Sequence, residues 1–207
     1  MKRMVVAAGL ALGLALALTG GLAGTTGCGP SIYLTYDYGK EYDPRKHEYV
    51  IGVSDSLTIT VYHTPDLSGS GTVRPDGVIT MPLIGELQVA GKTPSEVKEE
   101  MRKKVSAYVK SDPVVNVTVT GFNSYRFVVT GQVGHPGSLS QKFFITVSEA
   151  LAMGGGPSKF AGDEIILFRQ DANKKIREIP LSYKLLISGK HPEMDIAVVS
   201  GDSIVMY

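Results

Sequence analysis

The chain has 207 residues and a formal net charge of +1, from 21 lysines and arginines against 20 aspartates and glutamates. This balance provides no basic excess for a nucleic-acid partner, and the length suits one domain or two small ones. A single cysteine excludes an intrachain disulfide. The four histidines are far apart and have no metal-ligand spacing, so we predict neither a bound metal nor another cofactor.

The first 27 residues have the pattern of an export leader. A basic start at Lys2 and Arg3 precedes an apolar run over 5–18, which has the length of a signal-peptide core and is shorter than a membrane span. Small residues then lead to Cys28, so that residues 1–27 with Cys28 resemble a bacterial lipoprotein signal peptide. The resemblance implies a lipid anchor on Cys28, and the lack of an aspartate at the next position implies the outer membrane. The simpler alternative is an unused thiol in an ordinary secretory leader.

Residues 28–48 mix aromatic, charged, glycine and proline residues without a period, and we predict that they tether the anchor to the folded body. A β-rich unit with one packed helix is predicted over 49–121. Its strands follow from alternating apolar residues and from turn signals such as Pro75-Asp76-Gly77. They are placed at 56–62, 72–74, 78–83 and 115–120, with a short extended piece from Val89.

The helix of this first unit is predicted over 94–109. Thr93 and Glu96 form a capping box, and Pro94 occupies the first helical position. One apolar face recurs at helical spacing and is formed by Val97, Met101, Val105 and Tyr108. The charged residues between them predict a solvated surface and do not indicate a nucleic-acid site.

A second unit is predicted over 122–207, with an order of elements that suits a β-grasp-like module. A capping box of Thr146 and Glu149 starts a helix over 147–153, and a shorter helix is predicted over 183–187. Strands are predicted at 125–130, 165–169, 176–179 and 203–207. The two units together predict an α+β fold. A short echo between 53–57 and 200–204 is too brief to establish a repeat.

Glycines punctuate two turns of the second unit. Gly131 and Gly137 bound the turn after its first strand, and Gly154 and Gly155 follow the capped helix. We interpret all four as structural, and the second pair as a helix C-cap. The alternative, a close approach of a ligand to backbone without side chains, stays open.

No motif in the sequence specifies a catalytic centre. Gly91-Lys92-Thr93 precedes a helix, as the end of a phosphate-binding loop would, but the upstream glycine is one residue too far away. There is no Gly-x-Ser-x-Gly motif, and the pair Glu99-Glu100 lies on the charged helix face. We therefore predict that the protein is not an enzyme, and we assign no catalytic residue.

Two ordered sets of motifs resemble a known family. The first set resembles the polysaccharide export sequence domain and comprises Tyr49–Gly52, Asp55–Leu57, Asp66–Ser68, Val73–Gly77, Met81–Glu86, Val89–Thr93 and Asp112–Val115. The second resembles a soluble-ligand-binding β-grasp (SLBB) domain and comprises Gly131–Val133, Pro136-Gly137, Glu149–Leu151, Gly154-Gly155 and Gly201–Ile204. On these motifs the chain is similar to the Wza-like outer-membrane polysaccharide export lipoproteins. At 52–55 it has Gly-Val-Ser-Asp, where the family usually has Gly-Pro-Gly-Asp.

The resemblance implies a homo-oligomeric ring, facing the periplasm, that passes a capsule polysaccharide or exopolysaccharide outward. Its implied partners are the polysaccharide chain in transit, an inner-membrane polysaccharide co-polymerase and, as a further candidate, a separate outer-membrane β-barrel. The turn formed by Arg74, Pro75, Asp76 and Gly77 would lie near the periplasmic mouth and be available to a partner. An ordinary hairpin turn explains these four residues equally well.

Exporters of this type carry a further domain and a C-terminal amphipathic pore helix, whereas the sequence stops at Tyr207 after its last strand. We therefore expect a ring without its own membrane-spanning helix. A competing hypothesis from a different class is a monomeric, lipid-anchored module that binds a ligand or glycan without forming a conduit. A third, a periplasmic glycan-processing enzyme, would require two carboxyl groups that face each other across a cleft.

Overall fold

The structure is a computed structural model that describes residues 32–109, 112–171 and 173–207. The predicted leader and Cys28 lie outside the described residues. The helices are α1 (Ile32–Thr35), α2 (Pro94–Val105), α3 (Val147–Met153) and α4 (Tyr183–Ile187). The strands are β1 (Ser56–Val61), β2 (Gly69–Thr72), β3 (Val78–Met81), β4 (Gly85–Gln88), β5 (Val115–Gly121), β6 (Arg126–Gly131), β7 (Gly137–Ser140), β8 (Glu164–Gln170), β9 (Ile176–Ser182) and β10 (Ser203–Met206). These elements confirm the predicted α+β class. Within the described ranges, no helix is long and apolar enough to cross a bilayer.

The first unit is built on a three-stranded antiparallel sheet in the order β2-β1-β5, and the β3-β4 hairpin forms a separate pair. The alternation predicted for β1 is observed, because Leu57, Ile59 and Val61 are buried whereas Thr58 and Thr60 are not. Helix α2 packs on β5 and adds three fully buried side chains to this core, Val97, Met101 and Val105.

Helix α2 begins as predicted but ends four residues earlier, at Val105. Its capping box is complete, because Glu96 N donates to Thr93 Oγ1 (3.2 Å) and Thr93 N donates to Glu96 Oε2 (2.8 Å). The Tyr108 side chain, expected on the apolar face, is 59% exposed, and its hydroxyl donates to Leu83 O (3.3 Å). The fourth apolar position therefore faces the β3-β4 loop, which helical periodicity alone could not indicate.

The second unit is a five-stranded mixed sheet in the order β7-β6-β10-β8-β9. Strands β6 and β10 are parallel, and all other neighbours are antiparallel. Counted within the unit, the strand order is 2-1-5-3-4, with α3 in the connection between the second and third strands, which is the β-grasp arrangement. The β-grasp-like topology is thus confirmed. Strand β7 was not predicted, because Leu139 is its only large apolar residue.

Residues 33–41 of the predicted tether are packed against the second unit, which corrects the prediction of a linker there. Tyr38 is only 5% exposed, belongs to the core of this unit and donates its hydroxyl to Pro180 O (2.6 Å). Glu41 accepts from two arginine side chains of the second sheet, Arg169 and Arg177. These partners lie 128 to 142 residues away in the chain, so local composition could not show them.

Two tyrosines of this segment, the buried Tyr38 and the half-buried Tyr36, make the fold sensitive to alkaline pH. Burial raises the pKa of Tyr38 to about 12, and burial with the hydrogen bond to Glu41 raises the pKa of Tyr36 to about 12. An unfolded tyrosine ionises near about pH 10, so the folded state holds these protons more tightly. Their contribution to the free energy of unfolding is intact below about pH 10 and is lost as the pH rises towards about 12.

Urea unfolding at a series of alkaline pH values, followed by circular dichroism, measures this decline. We expect Tyr38→Phe to flatten it, because the variant has one fewer buried hydroxyl that ionises only on unfolding. Tyr62→Phe, at a ring that is 66% exposed, is the matched control and should leave the decline unchanged. A constant free energy of unfolding from about pH 9 to about 12 contradicts the assignment.

Candidate functional site

The two sheets meet at a four-residue connection, 122–125, between the end of β5 and the start of β6. Asp55, in the turn before β1, is fully buried and holds this connection. Its Oδ1 accepts from the backbone N–H groups of Asn123 (2.7 Å) and Ser124 (2.8 Å). Its Oδ2 accepts three further hydrogen bonds, from Gly52 N (2.8 Å), Tyr49 Oη (2.6 Å) and Ser124 Oγ (2.9 Å). A carboxylate with five partners is a structural anchor and has no lone pair left for acid–base work.

Close packing at Gly52 and the burial of Tyr49 complete this arrangement. We call the connection 122–125 and the residues that hold it the joint. A Cβ atom on Gly52 would lie 2.3 Å from Ser124 Cβ, so only glycine fits against the connection. Burial, and the hydrogen bond that Tyr49 donates to Asp55, raise the pKa of Tyr49 above its ordinary value. The Tyr49 ring meets Phe122 edge-on, with centroids 4.9 Å apart.

A second turn in the other unit has the same geometry. Gly52–Asp55 and Val199–Asp202 are both β-turns with a positive φ at the third position, 75° at Ser54 and 90° at Gly201. In each turn the closing aspartate is buried and accepts from the first residue's N–H, at 2.8 Å in the first turn and 2.7 Å in the second. A strand begins directly after each aspartate. The brief echo seen in the sequence therefore corresponds to a shared turn structure.

Ser54 carries backbone strain in the first turn, because left-handed φ costs an L-residue about 1–2 kcal/mol. We expect Ser54→Gly to raise the free energy of unfolding by about 0.5–1 kcal/mol, after the entropic cost of glycine is subtracted. Ser54→Ala keeps the strain and is the matched control, which should not stabilise. Urea unfolding compares the two variants, and equal midpoints for glycine and alanine would contradict the strain.

The second turn holds the same connection from the other side. Ser200 Oγ donates to Ser124 O (2.7 Å), and the N–H of the same Ser124 donates to Asp55. Asp202 is itself paired with the buried Arg169, whose Nη2 lies 2.6 Å from Asp202 Oδ2. Because each unit contributes one turn, the connection is fixed to both sheets.

A cleft of about 620 Å³ opens between the two turns. Residues of both units line it, among them Tyr42, Glu48, Tyr49, Val53, Phe144 and Ser200. Two pockets of about 360 Å³ each adjoin the cleft, one sharing Tyr49 and Phe144 with it and the other sharing Arg126. We call these three adjoining cavities the junction groove, and we take it as the candidate site.

The predicted partner turn lies outside the lining of the junction groove. Arg74 pairs with Asp76 of the same turn (2.6 Å) and with Glu86 of β4 (2.8 Å). Pro75 and Asp76 are exposed, and Gly77 has the positive φ, 82°, that the turn requires. These contacts describe a turn between β2 and β3 that is held by ion pairs within the first unit, and a partner at this turn stays a prediction.

The predicted glycine turns have backbone roles away from the junction groove. Gly131 has a φ of 85°, and a Cβ atom there would lie 2.0 Å from Met206 O. Helix α3 ends at Met153 and is capped by Gly154, with Gly155 in the left-handed region (φ 81°) and the two hydrogen bonds of a Schellman motif. Gly137 begins β7 and faces open space.

Sequence reasoning missed Arg126, Lys142 and Phe143, which line one of the 360 Å³ pockets. The run Lys142-Phe143-Phe144 places a cation beside two rings, but nothing local shows that Arg126 joins them. In the part of the chain that the structure describes, no group of His, Cys, Asp or Glu is arranged to hold a metal. Within the described residues, the fold and groove therefore define an α+β protein of two sheet modules that meet at a groove of rings, hydroxyls and cations.

Comparison with known proteins identifies the first of these modules. Residues 43–120 match the family model described as "Polysaccharide biosynthesis/export protein". The chain is 34% identical over 139 residues to the EPS I polysaccharide export outer membrane protein EpsA of Ralstonia nicotianae, which covers 56% of this chain and 36% of that protein. It is 34% identical over 125 residues to the exopolysaccharide production protein ExoF of Rhizobium meliloti, which covers 54% of this chain and 29% of that protein. It is 24% identical over 159 residues to the polysialic acid transport protein KpsD of Escherichia coli, which covers 77% of this chain and 28% of that protein.

The chain thus carries a polysaccharide biosynthesis/export domain, and the resemblance to the polysaccharide export family predicted from its sequence is confirmed. It spans about a third of the length of the curated relatives it matches. The matched range begins at residue 43, inside the predicted tether.

Proposed function

We propose that the protein is a periplasmic, outer-membrane-anchored component of an export channel for capsule polysaccharide or exopolysaccharide, in which several copies form a ring conduit. The observation that carries the proposal is the export domain over 43–120, together with relatives named as polysaccharide export outer membrane proteins. A lipid on Cys28 would supply the anchor. An inner-membrane co-polymerase would deliver the polymer, and a separate outer-membrane component would carry it through the membrane itself.

The joint between the two units suits a subunit of such a ring. The Asp55 and Asp202 turns hold the connection 122–125 from both sides, so every copy presents its two sheets at the same angle. A closed ring requires this, because any variation in angle is repeated at each interface. Both buried aspartates are engaged in hydrogen bonds or an ion pair, which supports a role in conduction and docking and not in catalysis.

Deletion of the gene in its native host tests the proposal. We expect loss of polysaccharide from the cell surface, with polymer retained inside the outer membrane, and recovery when the wild-type protein is restored. Cys28→Ala should restore export poorly, because the protein would leave the membrane fraction. An undiminished amount of surface polysaccharide in the deletion strain contradicts the export role.

A monomeric, lipid-anchored module that binds a ligand or glycan is the second candidate, and the junction groove favours it. Native mass spectrometry in mild detergent separates the two. A closed oligomer of many subunits supports the ring conduit, whereas a monomer at every concentration supports the binding module.

A further inference from the structure

One pocket of the junction groove contains two cations that have no acidic partner in the part of the chain that the structure describes. Arg126, the first residue of β6, donates through Nε to Asn123 O (3.4 Å), which leaves both Nη groups available. Lys142 follows β7 and makes no hydrogen bond or ion pair with a described residue. Both side chains line the same pocket of about 360 Å³, and no carboxylate occurs among the described residues of its wall.

The rest of this wall has the surfaces that a sugar requires. Phe122 and Phe143 provide aromatic rings, and Phe143 is 66% exposed. The apolar C–H face of a pyranose packs on such rings, while its hydroxyls need donors and acceptors. These are supplied by the side chains of Asn123, Ser140 and Gln141. The volume lies within the range of small-molecule sites, about 300–1,000 Å³.

We propose that this pocket binds an acidic sugar residue of a polysaccharide, with the carboxylate held by Arg126 and Lys142 and the pyranose face stacked on Phe143. Charge complementarity carries the choice, because a neutral sugar leaves both cations without a charged partner and a cationic one is repelled. The carboxylate of the adjoining cleft, Glu48, makes no ion pair with either cation, and its Oε1 accepts from Ser95 N (3.0 Å) and Ser95 Oγ (2.8 Å).

The pocket is open to the rest of the groove on two sides. Arg126 also lines the 620 Å³ cleft, and Phe122, Lys142 and Phe143 also line the second 360 Å³ pocket. A glycan can therefore extend beyond the acidic residue in either direction, as a chain does and a single sugar does not. The inference rests on the proposed function, because the polymer in transit is the ligand.

Isothermal titration calorimetry of the purified protein in detergent tests the site, with trigalacturonate as the acidic probe and maltotriose as the neutral one. We expect trigalacturonate to bind at least about tenfold more tightly than maltotriose. Its affinity should fall as salt is added, because salt screens the charges. Equal affinities for the two sugars, or no binding of trigalacturonate, would overturn the proposal.

Substitutions then assign the selectivity to this pocket. Arg126→Gln combined with Lys142→Gln should weaken trigalacturonate binding at least about tenfold. Phe143→Ala should weaken it without changing its salt dependence, because the ring contributes no charge. All three side chains are exposed, so the fold should be retained, and circular dichroism verifies this. Lys98→Gln combined with Lys103→Gln, at two exposed lysines of α2, is the charge-matched control and should bind like the wild type. Unchanged affinity in the double variant, or equal loss in the control, overturns the assignment.

The export assay distinguishes failure of this inference from failure of the proposed function. If binding is charge-selective but export is undiminished in the deletion strain, the acidic-sugar site is supported and the conduit is contradicted. If export is lost in the deletion strain but calorimetry shows no selectivity, the conduit is supported and the acidic-sugar site is contradicted.

Discussion

Asp55→Asn should lower the free energy of unfolding by about 3 kcal/mol or more, because it leaves buried donors without an acceptor. If the amide nitrogen replaces Oδ2, it faces the N–H of Gly52, which cannot accept a hydrogen bond. If the side chain is flipped, the amide nitrogen faces the N–H groups of Asn123 and Ser124 instead. Neither orientation satisfies the joint, even though the side-chain volume is almost unchanged.

Urea unfolding followed by circular dichroism measures this loss, since the chain has no tryptophan for fluorescence. Asp66→Asn is the matched control, because Asp66 is exposed and makes no side-chain hydrogen bond with a described residue. We expect the control to stay within about 0.5 kcal/mol of the wild type. A similarly small change for Asp55→Asn would show that the five hydrogen bonds do not hold the joint.

Gly131→Ala should destabilise the second unit by about 3 kcal/mol or more, from two separate causes. A φ of 85° costs any L-residue backbone energy. In addition, the new Cβ would lie 2.0 Å from Met206 O, a backbone atom that accepts a hydrogen bond from Gln132 N (2.7 Å). Because β6 and β10 are paired strands, that carbonyl cannot move without breaking their ladder.

Two other glycines separate these causes. Gly85 has a similar φ of 80° with nothing near its missing Cβ, so Gly85→Ala reports the backbone cost alone, about 1 kcal/mol. Gly137 has neither a positive φ nor a close neighbour, so Gly137→Ala should be near neutral. Chemical denaturation of all three variants gives the comparison. If Gly131→Ala costs no more than Gly85→Ala, the close approach to β10 is not a constraint.

Elements whose signals act over a few residues were predicted closely. Helices α3 and α4 have the predicted bounds, and the capping boxes at Thr93 and Thr146 are both formed. A capping box or a glycine C-cap is complete within about four residues, so the chain carries all of its information locally. The alternation in β1 and the order of elements in the second unit likewise sufficed for the α+β class and the β-grasp arrangement.

Features that depend on distant partners were not predictable in this way. Tyr38 is buried in the core of the second unit and donates its hydroxyl to Pro180 O, and the exposed Tyr108 donates to Leu83 O of the β3-β4 loop. Strand β7 has little apolar character and is ordered by pairing with β6. In each case the deciding contact depends on how strands pair and pack, which composition near the residue does not encode.

The candidate site was likewise predicted only in part from the sequence. Its family resemblance and the Asp55 turn were predicted from the sequence, whereas the aromatic run at 143–144 was missed. The junction groove was not predicted either, because it exists only where two sheets meet at the connection 122–125. Arg126 and Lys142 become one binding surface through the antiparallel pairing of β6 with β7, whose register places Arg126 opposite Ser140. Local chemistry therefore determined the elements and the class of this protein, whereas strand pairing and the joint around Asp55 decided which side chains share a site.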